Sequence, residues 1–354
     1  MADLQRRIES FLAQSPERTF WAYPTHTPDF TTNDYLGLIR TGVVQEVLRQ
    51  APLQWWRGSG ASRYLGGDCT AYEEVEQAIL SLHGSDGEAA LFFSSGMSAN
   101  LAFWSVVPRR GDTVVFDREV HASIRHGIRL SGAAAWGFPH NDYAEAEKRI
   151  RRAKGTVFLA IESLYSMRGT QPDVEALRYL QARYECQIVV DEAHTTLLLP
   201  EGRSWTQTIG MTPLAHLYTF GKAVGLAGAA WVAPEWLIAY LRRAGFSGIY
   251  STAMPPIIAW AVAEILRSTK KWESHRRRLG ELIAFTRYAF EKEGITYEGF
   301  QGPIGLVRGR DEIPFLKKLY PPTVAWPAHR ISLHAHNTKE EIEDLIEKLR
   351  SQQT

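Results

Sequence analysis

The sequence predicts an α/β protein built on a mainly parallel sheet with helices on both faces. Three observations carry this. Short apolar runs alternate with stretches of helical spacing from about residue 85 to residue 235, the rhythm of successive βαβ units. The runs at 156–161 and 187–190 are apolar almost throughout rather than alternating, as strands buried on both faces are. The chain has 354 residues, 45% of them hydrophobic and 22% charged, which is enough for a large core and a second, smaller unit.

Taken in order, residues 3–14 place Leu4, Ile8, Phe11 and Leu12 on one helical face and predict a docking helix. Residues 30–38 predict a short strand running into a turn. Asn33 and Tyr35 either line a pocket there or belong to a plain Asn-Asp turn before Gly37. The glycine-rich stretch 58–67 either brings backbone amides to an anion or simply connects. A helix follows over 70–83, opened by Thr70-Ala71-Tyr72-Glu73 in a capping-box pattern.

Residues 89–93 form the next strand, followed by Ser94-Ser95-Gly96-Met97-Ser98-Ala99-Asn100 and a helical run. Strand, small hydroxyl residues, glycine and a helix N-terminus together make a phosphate site, because unpaired amides and the helix dipole both point at the anion. An ordinary strand-to-helix turn has the same look. Another strand, 113–117, leads to His121, either a structural histidine or an imidazole able to stack on a ring at the sheet edge. Residues 138–142 read as a turn.

The strand at 156–161 is followed by Glu162 and the turn through Ser166 and Gly169, then a helix over 172–184 and a strand ending at Asp191. Strands at 217–220 and 227–233 flank Lys222. Beyond about Pro255 the composition changes. A helix over 257–266 precedes a charged helix whose Lys270, Lys271, Arg276, Arg277 and Arg278 read as a solvated face. Residues 329–334 alternate like a half-buried strand, and 339–350 form a last amphipathic helix. Arg330 in that strand either grips a carboxylate with both arms or makes an internal ion pair.

The chemistry is organised around Tyr218-Thr219-Phe220-Gly221-Lys222-Ala223-Val224-Gly225 and Asp191-Glu192-Ala193-His194. Asp191 falls at the carboxyl end of a buried strand, where open α/β sheets bind ligands. Lys222 lies between glycines, with room for a flat, bulky group joined to its amine as an imine. Singly, each has a bland reading, a surface lysine and a helix-capping aspartate. Together with the phosphate loop they are what a pyridoxal phosphate (PLP) enzyme needs: a lysine for the aldehyde and a carboxylate to keep the ring nitrogen protonated.

Composition narrows the alternatives. Forty basic and 39 acidic side chains leave no global field to draw nucleic acid or an anionic membrane. Cys69 and Cys186 are too few for a disulfide framework or a zinc site, no metal is expected, and a reducing cytosol fits. The N-terminal residues lack the apolar run of a secretory signal, and nothing reaches membrane-spanning length. Eleven tryptophans read mostly as core or channel lining.

The chain resembles the α-oxoamine synthases, a branch of the fold-type I PLP-dependent transferases. The likeness runs in order through Asn33-Asp34-Tyr35-Leu36-Gly37, Gly58-Ser59-Gly60-Ala61-Ser62-Arg63, Ser95-Gly96-Met97-Ser98-Ala99-Asn100, His121-Ala122-Ser123, His140-Asn141-Asp142, Asp191-Glu192-Ala193-His194, Thr219-Phe220-Gly221-Lys222 and Tyr250-Ser251-Thr252-Ala253-Met254-Pro255-Pro256. It implies an N-terminal arm (1–40), a large domain with a mainly parallel seven-stranded sheet (41–255) and a small α+β C-terminal domain (256–354). It implies Lys222 as the Schiff-base lysine, Asp191 at the ring nitrogen, His121 stacked on the ring, and His194 with Ser166 beside the phenolic oxygen.

The resemblance further implies Ser95, Gly96, Met97 and Thr219 at the phosphate, with Ser251 and Thr252 reaching the phosphate of a neighbouring subunit, hence a homodimer with shared sites. Arg330 would hold an amino-acid carboxylate, with Asn33 near it. The implied reaction is a decarboxylating condensation of L-alanine with a pimeloyl thioester carried on coenzyme A or an acyl carrier protein. Glycine- and serine-using members and a non-catalytic PLP-fold binding protein are the alternatives. Departures from the family pattern are Tyr72 in place of histidine, Val224 in place of an aromatic, a short segment between about 299 and 321, and an abbreviated lead-in before Asn33.

Overall fold

The computed structural model describes residues 2–14, 28–309, 313, 316–319 and 327–350. Among them seven strands form the central sheet: β1 (Glu88–Phe93), β2 (Thr113–Asp117), β3 (Ala134–Phe138), β4 (Val157–Glu162), β5 (Gln187–Asp191), β6 (Ala215–Thr219) and β7 (Ala229–Pro234), in spatial order β1-β7-β6-β5-β4-β2-β3. Strands β3, β2, β4, β5 and β6 run parallel, whereas β7 is antiparallel to both β6 and β1. The mainly parallel, seven-stranded expectation therefore holds. Residue pattern alone misses β3, whose Ala-Ala-Trp-Gly-Phe lies at the sheet edge and is only partly covered.

The sheet is a partition between apolar layers. In β4, Phe158 and Ala160 join one cluster with helix Gly96–Trp104, while Leu159 and Ile161 join another with helices Tyr143–Arg152 and Val174–Tyr184, the period-two alternation of a strand covered on both sides. Each such aliphatic side chain contributes roughly 1.5–3 kcal/mol on burial. Because the strands are parallel, their carboxyl ends share one edge, and the register sets Glu162 of β4 beside Asp191 of β5.

A smaller antiparallel sheet, β8 (Tyr297–Gly299), β9 (Ile304–Arg308), β10 (Lys317–Leu319) and β11 (Ala328–Ser332), has the order β10-β11-β9-β8. Helices Pro256–Arg267, Glu273–Lys292 and Lys339–Arg350 accompany it. Its core is continuous with that of the large sheet, one cluster taking in Val75, Ile79, Val262, Ile265, Leu282, Ile331 and Leu345. No helix is long and apolar enough to cross a membrane among the described residues.

Several local expectations are corrected. Residues 30–38 form no strand, because Asp29 accepts from the amides of Thr31 (2.9 Å) and Thr32 (3.0 Å) and Asp34 from those of Ile39 (3.1 Å) and Arg40 (3.0 Å). Side chains that satisfy nearby amides compete with a strand ladder. Thr70 is not an N-cap: the helix Thr70–His83 starts after Cys69, which makes no side-chain cap. Strand β11 is buried on both faces rather than half-buried. Arg276 leaves the solvated face, buried with hydrogen bonds to Glu273 (2.7 Å) and the Thr269 carbonyl (2.7 Å). Helix Ala2–Gln14 forms, but its Leu4, Ile8, Phe11 and Leu12 remain exposed, so the expected docking is not made among the described residues. Of the shortened segment 299–321, residues 310–312, 314, 315, 320 and 321 lie outside the described residues, as do 15–27 of the lead-in.

Candidate active site

A cavity of about 360 Å³ opens at the carboxyl edge of the large sheet, lined by Asn33, the 94–97 turn, Asn100, His121, Glu162, Asp191, Ala193, His194, Thr219, Lys222 and neighbouring glycines. Its size suits a small organic ligand. The parallel topology delivers these groups: Glu162, Asp191 and Thr219 terminate β4, β5 and β6, so three adjacent strands point their last residues at one space.

One wall is the first turn of helix Gly96–Trp104. Ser95 caps it, its hydroxyl accepting from the Ser98 amide at 3.1 Å while Ser98 Oγ accepts from the Ser95 amide at 3.2 Å. The amides of Gly96 and Met97 follow, in the positions that have no intrahelical acceptor. A Cβ at Gly96 would lie 2.9 Å from Thr219 Cγ2, so only glycine lets the turn approach β6 this closely. Amides, helix dipole and the Thr219 hydroxyl converge on a cradle suited to a phosphate.

Asn100, one turn into the helix, donates to Asp191 Oδ2 (3.0 Å) and to Ser123 Oγ (3.0 Å), and the Ala193 amide donates to Asp191 Oδ1 (3.0 Å). His121 caps helix Ala122–Ser131, with Nδ1 accepting from the Ser123 amide (3.3 Å) and lying 2.7 Å from Ser123 Oγ. Nδ1 is thus an acceptor. Glu162 accepts from the His121 amide (2.5 Å) and the Ser166 amide (3.3 Å), tying the histidine to the turn after β4.

Opposite, Arg330 donates from Nε to the Ser166 carbonyl (2.7 Å), from Nη1 to Ser332 Oγ (2.7 Å) and from Nη2 to Asn33 Oδ1 (3.1 Å). Among the described residues three of its five N–H groups are thereby engaged, leaving one on each terminal nitrogen. Tyr35 Oη lies 3.0 Å from Asn33 Oδ1 and 2.7 Å from His194 Nδ1. Lys222 donates to Thr219 Oγ1 at 3.2 Å.

Burial pushes the Lys222 amine below the ordinary lysine value, against the pull of Asp191 and Glu162, which favours its neutral, nucleophilic form. Burial, reinforced by the charge of Asp191, drives Glu162 well above the usual carboxylate range. Burial also lowers His121 and takes His194 well below the ordinary histidine value, with Lys222 and Arg330 adding repulsion. Both imidazoles are therefore neutral near pH 7.

The structure thus brings Asn33, Ser95, Gly96, Met97, His121, Asp191, His194, Thr219 and Lys222 to one cavity, with Ser166 and Arg330 joined to it by hydrogen bonds through Glu162 and Asn33. Ser251 and Thr252 lie apart, in an adjoining depression with Tyr72, Ser94 and Ser98. Tyr72, the departure from the family pattern, donates to the Met254 carbonyl and stacks on Phe92 at 5.9 Å. Val224 is simply core. Residue reading missed Glu162, Asn100 and Ser123. The parallel register and the helical step from Gly96 to Asn100 are the signals that point to the first two. Elsewhere, Asp29, His334 and His336 come within 4.8 Å of one another. The two imidazoles stack at 4.9 Å and 18°; His334 bonds the Asp29 carbonyl (2.9 Å) and Thr32 Oγ1 (3.2 Å) and acts as a buried pin, while the ring nitrogens of half-buried His336 have no hydrogen-bond partner among the described residues.

The donor set fits PLP: a buried carboxylate at a strand end, an amine of lowered basicity, a helix N-terminus with a glycine where a Cβ would crowd Thr219, and an imidazole at the wall. The family of aminotransferase class I and II matches residues 25–349. An 8-amino-7-oxononanoate synthase of Chromobacterium violaceum is 38% identical over 273 residues, 76% of this chain and 70% of that protein. Among solved structures, a serine palmitoyltransferase from S. paucimobilis with a bound PLP–myriocin aldimine superposes with TM-score 0.85 at 22% identity, over 99% of this chain and 96% of the other. The 8-amino-7-oxononanoate synthase of Francisella tularensis does so with TM-score 0.78 at 24% identity, over 92% and 97%. These two likenesses speak for the fold, while the sequence match carries the kinship: this chain belongs to the aminotransferase class I and II family and, within it, to the α-oxoamine synthases, which are PLP-dependent acyltransferases.

Proposed function

We propose that the protein joins L-alanine to a pimeloyl thioester, on coenzyme A or an acyl carrier protein, releasing carbon dioxide and the thiol and giving 8-amino-7-oxononanoate for biotin synthesis. The observation that carries the reading is the Lys222 amine in a cavity floored by Asp191 and walled by the first turn of helix Gly96–Trp104. The choice of alanine and pimeloyl rests on the named relatives.

When bound, PLP supplies the electron sink that makes a carbanion accessible at the amino acid's Cα. Lys222 would hold the coenzyme, and its amine would serve to take the Cα proton, a task suited to a lysine of lowered basicity. Asp191, oriented by Asn100 and the Ala193 amide, would hold a proton on the ring nitrogen. His121 would pack on the ring, and His194 and Ser166 would serve the phenolic oxygen. Ser95, Gly96, Met97 and Thr219 hold the phosphate, while Ser251 and Thr252 reach the site of a second copy in a homodimer. Arg330 grips the substrate carboxylate with its two remaining N–H groups, Asn33 beside it. The arm, large domain and small domain divide as 1–40, 41–255 and 256–354.

A second reading takes serine as the amino acid, since a serine palmitoyltransferase shares the fold. The experiment is mass spectrometry of the products from PLP-loaded protein with pimeloyl-CoA and L-alanine, glycine or serine in separate arms. The expected product has the mass of 8-amino-7-oxononanoate and forms with alanine alone. Condensation with only glycine or serine would replace the substrate assignment, and a 2-oxo acid without thiol release would replace the reaction. Lys222→Ala should lose both turnover and the imine absorbance.

A further inference from the structure

We infer that Tyr35 is a positioning residue that fixes the tautomer of His194, placing the ring hydrogen on Nδ1 and leaving Nε2 bare. The inference deepens the function proposed above and takes its meaning from it, but the proton count behind it concerns this chain alone.

The count starts at Arg330. A guanidinium has donors and no acceptor, so its 3.1 Å contact from Nη2 fixes the neighbouring atom of Asn33 as the carbonyl oxygen rather than the amide nitrogen. That oxygen only accepts. The 3.0 Å contact of Tyr35 Oη with the same oxygen therefore uses the phenol's single proton. Tyr35 is fully buried and its phenol is pushed up to about 12, so the proton stays on it. With its proton committed to Asn33, Tyr35 Oη can only accept at its second contact, 2.7 Å from His194 Nδ1. Nδ1 must then carry the hydrogen. His194 is neutral because its pocket is buried and lies near Lys222 and Arg330, so its other nitrogen, Nε2, holds a lone pair. His194 lines the cavity, and among the described residues no hydrogen bond to Nε2 competes for that lone pair.

The chain Arg330, Asn33, Tyr35, His194 thus runs from the carboxylate-binding arginine to the imidazole beside the coenzyme through three consecutive protein hydrogen bonds. Its polarity is set at the arginine end, the one member that cannot reverse. Asn33 and Tyr35 come from the 28–38 segment, whose backbone is held by Asp29 and Asp34, so the relay is mounted on a braced loop.

The test is nitrogen NMR of the full-length protein labelled with ¹⁵N-histidine, with and without PLP, the His194 signals identified by their loss in His194→Gln. The expected result in the unloaded protein is a neutral ring protonated at Nδ1. Tyr35→Phe removes the acceptor of that proton and should move the tautomer ratio toward Nε2–H by roughly tenfold, the scale of one hydrogen bond. Asn33→Ala releases the Tyr35 hydroxyl to donate to Nδ1 and should make Nε2–H the major form while the phenol remains. An Nε2–H ring in the unaltered protein, or a ratio unmoved by both substitutions, overturns the inference. Because the tautomer is read in the unloaded protein as well, a protein that forms no condensation product yet shows Nδ1–H there would lose the proposed reaction and keep the relay.

Discussion

Asp191 and Glu192 are consecutive, both buried, and their surroundings differ in one respect that separates a site from a scaffold. Glu192 is saturated: it accepts from the amides of Trp205 (2.6 Å) and Thr206 (3.4 Å), from Thr206 Oγ1 (2.6 Å) and Thr195 Oγ1 (3.3 Å), and faces His216 Nδ1 at 3.4 Å. Burial works to raise its carboxyl, yet these donors hold it below the ordinary value. Asp191 has two donors and an open cavity, and its neighbour across the register is another carboxylate, Glu162, which is driven up. Where donors gather round a charge the protein is being held together; where two carboxyl groups share an open cavity and one is driven toward its neutral form, the pair marks a candidate site.

The largest effects should separate the two carboxylates. Asp191→Asn should cut turnover by on the order of a hundredfold or more, the scale of removing a single electrostatic partner of the reaction, and, with two donors disturbed rather than four, should lower the urea midpoint less than the change at Glu192. Glu192→Gln places an amide donor among donors and should destabilise the fold by about 3 kcal/mol, seen as an earlier urea transition. Equal unfolding curves for the two variants would erase the distinction.

A pH-dependent effect, reaching its full size only in acid, marks the closed network. His83 stacks on Tyr218 at 4.4 Å and is lowered by burial to about 4. It stays neutral when folded while the unfolded chain takes up a proton below about pH 6.5. Stability is therefore complete above pH 6.5 and declines as pH falls toward 4, by up to about 3 kcal/mol from this residue. His83→Phe keeps a ring against Tyr218 and should flatten that part of the acid limb; an unaltered slope would assign the acid sensitivity elsewhere.

The smallest effect probes the open side. Gly96→Ala pushes a methyl against Thr219 Cγ2 and should weaken PLP binding by about 1 kcal/mol, roughly fivefold. Thr219→Ser removes the opposing methyl and keeps the hydroxyl, so the double variant should recover most of the loss in a coenzyme titration. Failure of that rescue would mean the glycine serves the cradle in another way.

Much of this was legible because buried parallel strands have an unmistakable composition and their ends are known to carry ligands. Reading 187–190 as such a strand is enough to place Asp191, and the glycines about Lys222 do the rest. Glu162 was less legible, since its meaning depends on which residue it faces across the sheet, a register that one strand's own residues do not contain. Residues 30–38 read as a short strand running into a turn but form no strand, because Asp29 and Asp34 satisfy the amides that a ladder needs. Arg276 misled as one of three consecutive arginines, the one that the helix turns inward.

The pin that joins the two ends of the chain sets an order in time. Thr32 Oγ1 and the Asp29 carbonyl meet His334 at 3.2 and 2.9 Å across 302 and 305 residues, and Arg330 meets Asn33 across 297. During synthesis, with domains tending to fold from the N-terminal side first, the large sheet is complete by β7, yet this wall of the cavity waits until β11 has left the ribosome. A nascent chain of this protein can hold Lys222, Asp191 and the Ser95–Met97 turn in place while Asn33 and Thr32 still lack their partners Arg330 and His334, so this side of the cavity is assembled last.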